Sequence, residues 1–278
     1  MSSQSKAGRR GRVGAHGTLW LWVAGLAFAA VVILGFRLMT PRTPELAPEL
    51  GAILIDQLSP TYPNDEFRTS VAAGVEELGL PLEVLDGEAV DVDLYRSLGL
   101  RDCGVIVIRS HSGILELVAG GSEQVTALFT NEPYSERAHV SEQLRDQLLV
   151  VRPFEDDTNL TYGVTPEFVL HGMRGSLPRS VVIIAGCSVL GRTDLAEALC
   201  ASGASVVISF DRSVGLAHAD ASTARLIEHL LEAGKTVERA IITTSAELGP
   251  DPEYGALLSY YPPSAGHRTV AQLLAGTG

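Results

Sequence analysis

The sequence predicts an α/β fold in which helices lie on both sides of a mostly parallel central sheet. Residues 181–184 are four consecutive β-branched side chains, and residues 105–108 form a second run of valine and isoleucine. Such runs are typical of strands buried on both faces of a parallel sheet. Segments with the apolar spacing of helices alternate with the predicted strands, which indicates parallel pairing.

The N-terminal part of the chain predicts a membrane anchor. Residues 1–18 carry four basic side chains and no acidic one, and the uncharged run Leu19–Phe36 of 18 residues follows. As a helix this run is about 27 Å long, close to the thickness of a bilayer core. The basic residues before it predict a cytoplasmic N-terminus and an extracytoplasmic main domain, hence a single-pass protein of the cell membrane. A cleaved signal peptide is the alternative, but no clear small-x-small cleavage motif follows.

A proline-rich linker, residues 37–50, leads to the predicted α/β domain, residues 51–278. The strands expected in this domain span residues 52–58, 82–85, 105–108, 181–184, 205–209 and 256–261. The helices expected span residues 65–78, 93–98, 194–201, 219–233, 237–248 and 270–274. The pattern changes between the third and fourth strands, where we expect a β-hairpin turning at Gly120-Gly121, a helix over 139–151 and a polar segment up to 177.

Charge and cysteine content exclude several classes of function. Only five of the 21 basic side chains and none of the 33 acidic ones lie in residues 1–37, so the rest of the chain is strongly acidic. A negative surface repels phosphates, which argues against nucleic acid as a partner. Three cysteines are too few for a disulfide framework, and no zinc spacing is present, so we expect neither a metal nor a cofactor.

A cysteine and a histidine each follow one of the two apolar strands. Cys187 lies in Ala-Gly-Cys-Ser after residues 181–184, and His111 lies in Arg-Ser-His-Ser-Gly after residues 105–108. The carboxyl ends of parallel strands meet at the edge where α/β sheets place their ligands, so we expect thiol and imidazole to lie together. A thiol beside an imidazole is the minimum needed for a cysteine nucleophile. A structural Cys187 is the alternative, because cysteine is among the most buried residue types.

The order of these motifs resembles the caspase-like cysteine peptidases, and in particular their CHAT-domain, gingipain and separase groups. The resemblance covers residues 52–248: a strand with His-Ser-Gly, a hairpin, a strand with Gly-Cys-Ser, then helix, strand and helix. It implies a caspase-like sandwich and an endopeptidase acting on peptide or protein substrates. Cys187 would be the nucleophile and His111 the general base.

The resemblance also implies an oxyanion hole built from backbone N–H groups. These would belong to Cys187 and to residues after His111, and we take Ser112, Gly113 and Gly186 as the candidate backbone positions. The family usually has glycine directly after the histidine, whereas this chain has serine and then glycine. Which amide donates is therefore left open by the sequence.

A carboxylate that binds an Arg or Lys side chain of the substrate is the third implication of the resemblance. Asp220 is one candidate, although it could instead cap the helix that follows, and Asp56 at the end of the first strand is the other. Arg109 is predicted to lie on the same strand face as His111, where a packing role is equally open.

Two other functions fit the sequence. The first is a catalytically idle caspase-like module that binds a partner or signals. The second is a class I amidotransferase-like enzyme that pairs Cys187 with His218 of the motif His-Ala-Asp. That enzyme class requires Gly-x-Cys-x-Gly, and here Ala185 and Val189 replace both glycines.

Overall fold

Two β-sheets with surrounding helices make up the described part of the chain, residues 50–117, 123–153, 158–232 and 234–276 of a computed structural model. The strands are β1 Gly51–Asp56, β2 Leu82–Asp86, β3 Cys103–Arg109, β4 Ser112–Glu116, β5 Gln124–Pro133, β6 Leu148–Val151, β7 Thr161–Val164, β8 Val181–Ala185, β9 Val206–Phe210 and β10 Leu258–Tyr261. The α-helices are α1 Asp65–Glu77, α2 Val92–Ser97, α3 Val140–Gln143, α4 Pro166–His171, α5 Asp194–Ala201, α6 Leu216–Leu231, α7 Val237–Leu248 and α8 Val270–Ala275. Short 3-10 helices span Gly87–Ala89, Leu98–Leu100 and Pro263–Ala265.

The larger sheet has six strands in the order β10-β9-β8-β3-β1-β2. All neighbours in it run parallel except β10, which is antiparallel to β9. This confirms the predicted α/β fold with a mostly parallel sheet. β3 and β8, the two strands that precede His111 and Cys187, are direct neighbours in the middle of the sheet.

Alternate residues of the central strands pack into two separate hydrophobic cores. In β3, Ile106 and Ile108 belong to one core, while Val105 and Val107 belong to the other. The first core includes side chains of α2, α4, α5 and the second sheet, and the other includes side chains of α1, α6, α7 and α8. Helices therefore cover both faces, which explains why residues 105–108 of β3 and 181–184 of β8 are apolar at every position.

The second sheet is inserted between β3 and β8. It is antiparallel, with the order β4-β5-β7-β6. The predicted hairpin corresponds to β4 and β5, and its turn at Gly120-Gly121 lies outside the described residues. The helix predicted over residues 139–151 is wrong beyond its first turn, because Leu148–Val151 pairs with β7 as a strand. The polar segment that follows contains β7 and α4, which begins at Pro166 with Thr165 as its N-cap.

The predicted anchor, residues 19–36, and nearly all of the linker lie outside the described residues. Among the residues that are described, none of the helices is long and apolar enough to span a bilayer.

Candidate active site

Cys187 lies on a sharp turn directly after β8. Gly186 brings the backbone here against the chain that follows β3: a Cβ atom on it would lie 2.8 Å from the Ser110 carbonyl oxygen and 2.5 Å from Ser112 Oγ. These separations are shorter than van der Waals contact, so a side chain at this position would force its neighbours to shift. Ser188, on the other side of the cysteine, has a left-handed backbone with φ of 58°. The thiol is thus carried on a tightly constrained turn.

His111 lies two residues beyond β3, and its backbone is held on both sides. Its N–H donates to Gln57 Oε1 at 2.9 Å, and its carbonyl accepts from the Phe129 N–H at 3.0 Å. Burial, and then the positive charge of Arg109, lower the pKa of His111 below its ordinary value. The imidazole is therefore neutral at neutral pH, the form that accepts a proton.

His111 and Cys187 line the same cleft, which has a volume of about 310 Å³. The cleft lies at the carboxyl edge of the central sheet. β3 and β8 are adjacent and parallel there, with Arg109 paired to Ala185. His111 follows Arg109 by two positions, and Cys187 follows Ala185 by two positions. The two residues therefore reach the edge of the sheet at the same level. The structure therefore brings together the two residues that the sequence singled out.

The sulfur of Cys187 lies against the loop after β9. The Val214 N–H donates to Sγ at 3.5 Å, and Sγ donates to the Val214 carbonyl oxygen at 3.6 Å. Ser112 Oγ donates to the Cys187 carbonyl oxygen at 2.8 Å and so ties the turn to β4. Cys187 is partly exposed and lines the cleft, as a reactive thiol must be to meet a substrate.

The candidate oxyanion positions differ in their surroundings. Within the described residues, the N–H groups of Gly186 and Cys187 donate to no protein acceptor, and both residues line the cleft. The backbone of His111 is hydrogen-bonded to β5. In an antiparallel pair of strands, successive N–H groups point alternately toward the partner strand and away from it. The Ser112 N–H therefore points away from β5, and the Gly113 N–H points toward it. The ladder thus uses the Gly113 amide, and Ser112 is buried and is not among the residues that line the cleft. The amides of Gly186 and Cys187 are therefore the candidates that a substrate oxygen in the cleft could reach.

Asp220 and Asp56, the predicted pocket carboxylates, both bind Arg109. Its guanidinium donates to Asp220 through Nε and Nη2, at 2.7 and 2.8 Å, and to Asp56 through Nη1 at 2.9 Å. The exposed fractions are 1% for Arg109, 0% for Asp56 and 7% for Asp220. Asn64 Nδ2 also donates to Asp220, and Arg68 Nε to Asp56. Neither aspartate is among the residues that line the cleft.

The surroundings of His218 differ from those expected of a catalytic base. α6 begins at Leu216, so Asp220 lies inside the helix, and the alternative that it caps this helix is wrong. The His218 ring lies 6.4 Å from the Phe210 ring, centre to centre, and His218 is not among the residues that line the cleft. Within the described residues, His218 and Asp220 form no hydrogen bond with each other. Nothing in this arrangement favours an amidotransferase-like site.

Several residues that shape the cleft were missed by the sequence analysis. Gln57 holds the backbone of His111, as described above. Asp251, between α7 and β10, accepts N–H groups from Gly215 at 3.0 Å and Tyr254 at 2.7 Å. Burial would raise the pKa of Asp251, but the N–H groups of Tyr254, Gly215 and Glu253 and the nearby His218 together hold this pKa below its ordinary value. The motif Asp-Pro-Glu-Tyr-Gly indicates a turn, but nothing in it shows which part of the sheet the turn approaches.

Comparisons with known proteins identify no family for this chain. No family model matches it, and no curated protein matches it either. A function is therefore inferred from the residues and geometry of the cleft.

Proposed function

We propose that this chain is a cysteine endopeptidase of the caspase-like type, with Cys187 as the nucleophile and His111 as the general base. The observation that carries the proposal is that both residues line one cleft at the carboxyl edge of two adjacent parallel strands. Peptides or proteins are the substrates that the sequence resemblance implies.

The fold supports this proposal. The central sheet is mostly parallel, with helices on both faces, as the resemblance implies. A β-hairpin follows the histidine strand directly, and it forms part of the second sheet inserted before the cysteine strand. This is the order of elements on which the resemblance rests.

Acylation uses the thiol and the neutral imidazole. The Cys187 sulfur attacks the carbonyl carbon of the peptide bond while its proton passes to His111. The N–H groups of Gly186 and Cys187 stabilise the negative charge that develops on the carbonyl oxygen. When the C–N bond breaks, the imidazolium gives its proton to the leaving amine, and the acyl group remains on sulfur as a thioester.

Deacylation uses the same imidazole, with a water molecule as the nucleophile. A water molecule loses a proton to His111 and attacks the thioester carbonyl. The C–S bond breaks, the carboxylic acid product leaves, and the imidazolium returns the proton to the thiolate. The enzyme is restored, and one water molecule has been consumed per peptide bond.

Peptide cleavage by matched variants tests the proposal. Cys187→Ala should reduce cleavage of a fluorogenic peptide library to background, and His111→Ala should reduce kcat/KM by about 100-fold or more. The controls are Cys200→Ala, a half-buried cysteine of α5, and His171→Ala, an exposed histidine of α4. Both controls should cleave like the parent chain.

The catalytically idle module makes the opposite prediction for the same experiment. A well-folded chain that cleaves no peptide of the library and reacts with no peptidyl thiol probe would reject the peptidase. Cleavage that survives Cys187→Ala would also reject it.

A further inference from the structure

The side-chain pocket beside Cys187 has walls that point to a particular class of substrate. We propose that this cleft selects an apolar P1 side chain, such as leucine or phenylalanine, in preference to arginine or lysine. This inference rests on the peptidase function proposed above. P1 here denotes the substrate residue whose carbonyl the thiol attacks.

The chain's own arginine already binds Asp220 and Asp56, the two carboxylates that the sequence offers as a pocket for a basic side chain. Arg109 binds Asp220 through two nitrogens and Asp56 through a third, which is the forked geometry that a substrate guanidinium would need. All three side chains are buried. A substrate cation would have to displace Arg109 and leave its charge unpaired inside the protein, which is strongly unfavourable.

The cleft itself is lined mainly by apolar and aromatic side chains. The aliphatic residues among them are Leu58, Ala185, Val214, Leu216 and Ala219, and the aromatic ones are Tyr62 and Tyr254. They surround a volume of about 310 Å³. This lies at the lower end of the range for small-molecule pockets, so it suits one side chain with its adjoining backbone.

Glu253 is the one acidic residue among the described residues that line the cleft. Its side chain is exposed, and it interacts with the hydroxyl of Tyr254, which is itself 48% exposed. An ion pair formed at such a rim is screened by water and contributes little. An apolar side chain placed against Leu58 and Leu216 gains in proportion to the area removed from water. Apolar burial therefore outweighs attraction to Glu253.

Paired substrates on the full chain test this inference. Four fluorogenic peptides would be identical except for Leu, Phe, Arg or Lys at P1. We expect kcat/KM for the leucine or phenylalanine peptide to exceed that for the arginine and lysine peptides by about 10-fold or more.

A charge introduced into the cleft should change this order. Leu216 is the first residue of α6, where a carboxylate is favoured by the helix dipole, so Leu216→Asp should fold. We expect Leu216→Asp to lower cleavage of the leucine peptide and raise cleavage of the arginine peptide, shifting their ratio by about 10-fold. The matched control is Ala217→Asp: Ala217 is exposed, belongs to the same helical turn and lines a different depression, next to α1. It should leave the ratio unchanged.

The outcomes separate this inference from the peptidase proposal. Preferred cleavage after arginine or lysine that depends on Cys187 and is lost in Glu253→Gln would overturn the apolar pocket, assign Glu253 as the selecting acid and leave the peptidase intact. Equal ratios in Leu216→Asp and Ala217→Asp would also overturn it. Cleavage of none of the four peptides, with no labelling by peptidyl probes, would overturn both proposals together.

Discussion

His111 is held in surroundings that oppose a positive charge on its ring. Burial and the neighbouring guanidinium of Arg109 both lower its pKa from the ordinary value of 6.5. A general base must be neutral to accept a proton, so its useful pH range extends further into acid than that of an exposed histidine.

The pH dependence of kcat/KM tests this effect. We expect peptidase activity to persist below pH 6.5 and to fall only as the pH drops through the lowered pKa of His111. An acidic limb of the profile at or above pH 6.5 would contradict the assignment of His111 as the base.

Replacing Gly186 gives a second prediction about a single residue. Gly186→Ala places a Cβ atom 2.8 Å from the backbone oxygen of Ser110, which cannot move without shifting the end of β3. We expect a loss of about 1–3 kcal/mol in the free energy of unfolding and slower labelling of Cys187. Urea denaturation measures the first effect. In the control Gly51→Ala, the nearest atom is a comfortable 3.6 Å away, and stability should change much less.

The placement of Cys187 and His111 at one edge of the sheet could be predicted from the sequence, and the pairing of the side chains around them could not. Cys187 and His111 each follow a strongly apolar strand, so local pattern alone places them at the carboxyl edge. Asp220 is paired with Arg109, which lies 111 positions earlier in the chain. The two side chains meet only when β3 and α6 are packed together. No pattern in the neighbouring sequence distinguishes a carboxylate that is paired within the protein from one that binds a substrate.

At the scale of elements, the ion cluster of Arg109, Asp56 and Asp220 joins the ends of β1 and β3 to α6. Removing one member of such a buried cluster leaves the others unpaired in the interior. We expect Arg109→Met to lower the free energy of unfolding by about 3–5 kcal/mol, measured by urea denaturation. Arg101→Met is the control: its pair with Glu83 is partly exposed, and its loss should cost about 0–1 kcal/mol. Equal effects in the two variants would contradict a structural role for the cluster.

The wrong prediction of a helix over residues 148–151 also has a physical explanation. Residues 148–151 continue a helical pattern that starts at Val140, and both leucine and the preceding polar residues are compatible with a helix. In the structure, Leu148 and Val151 are buried while β6 pairs with β7. Sheet pairing with a strand found 10 residues later decides the conformation, and local propensity does not contain that information.

For the whole molecule, the apolar run at residues 19–36 gives a prediction about location. We propose that it anchors the chain in the cell membrane, with the α/β domain on the extracytoplasmic side. Deleting residues 1–36 should move the chain from the carbonate-resistant membrane fraction to the soluble fraction after sedimentation. Deleting only residues 1–18, which keeps the apolar run, should leave it in the membrane fraction. A full-length chain recovered without detergent would contradict the anchor.

The central claim is that His111 activates Cys187 within one cleft. Peptide-mapping mass spectrometry of the full chain, after reaction with peptidyl acyloxymethyl ketones carrying Leu or Arg at P1, tests it most directly. We expect an adduct on Cys187 and none on Cys103 or Cys200, because burial raises the pKa of both other thiols to about 11. The adduct should form about 100-fold more slowly in His111→Ala. Labelling spread over the three cysteines, or an unchanged rate in His111→Ala, would contradict the claim.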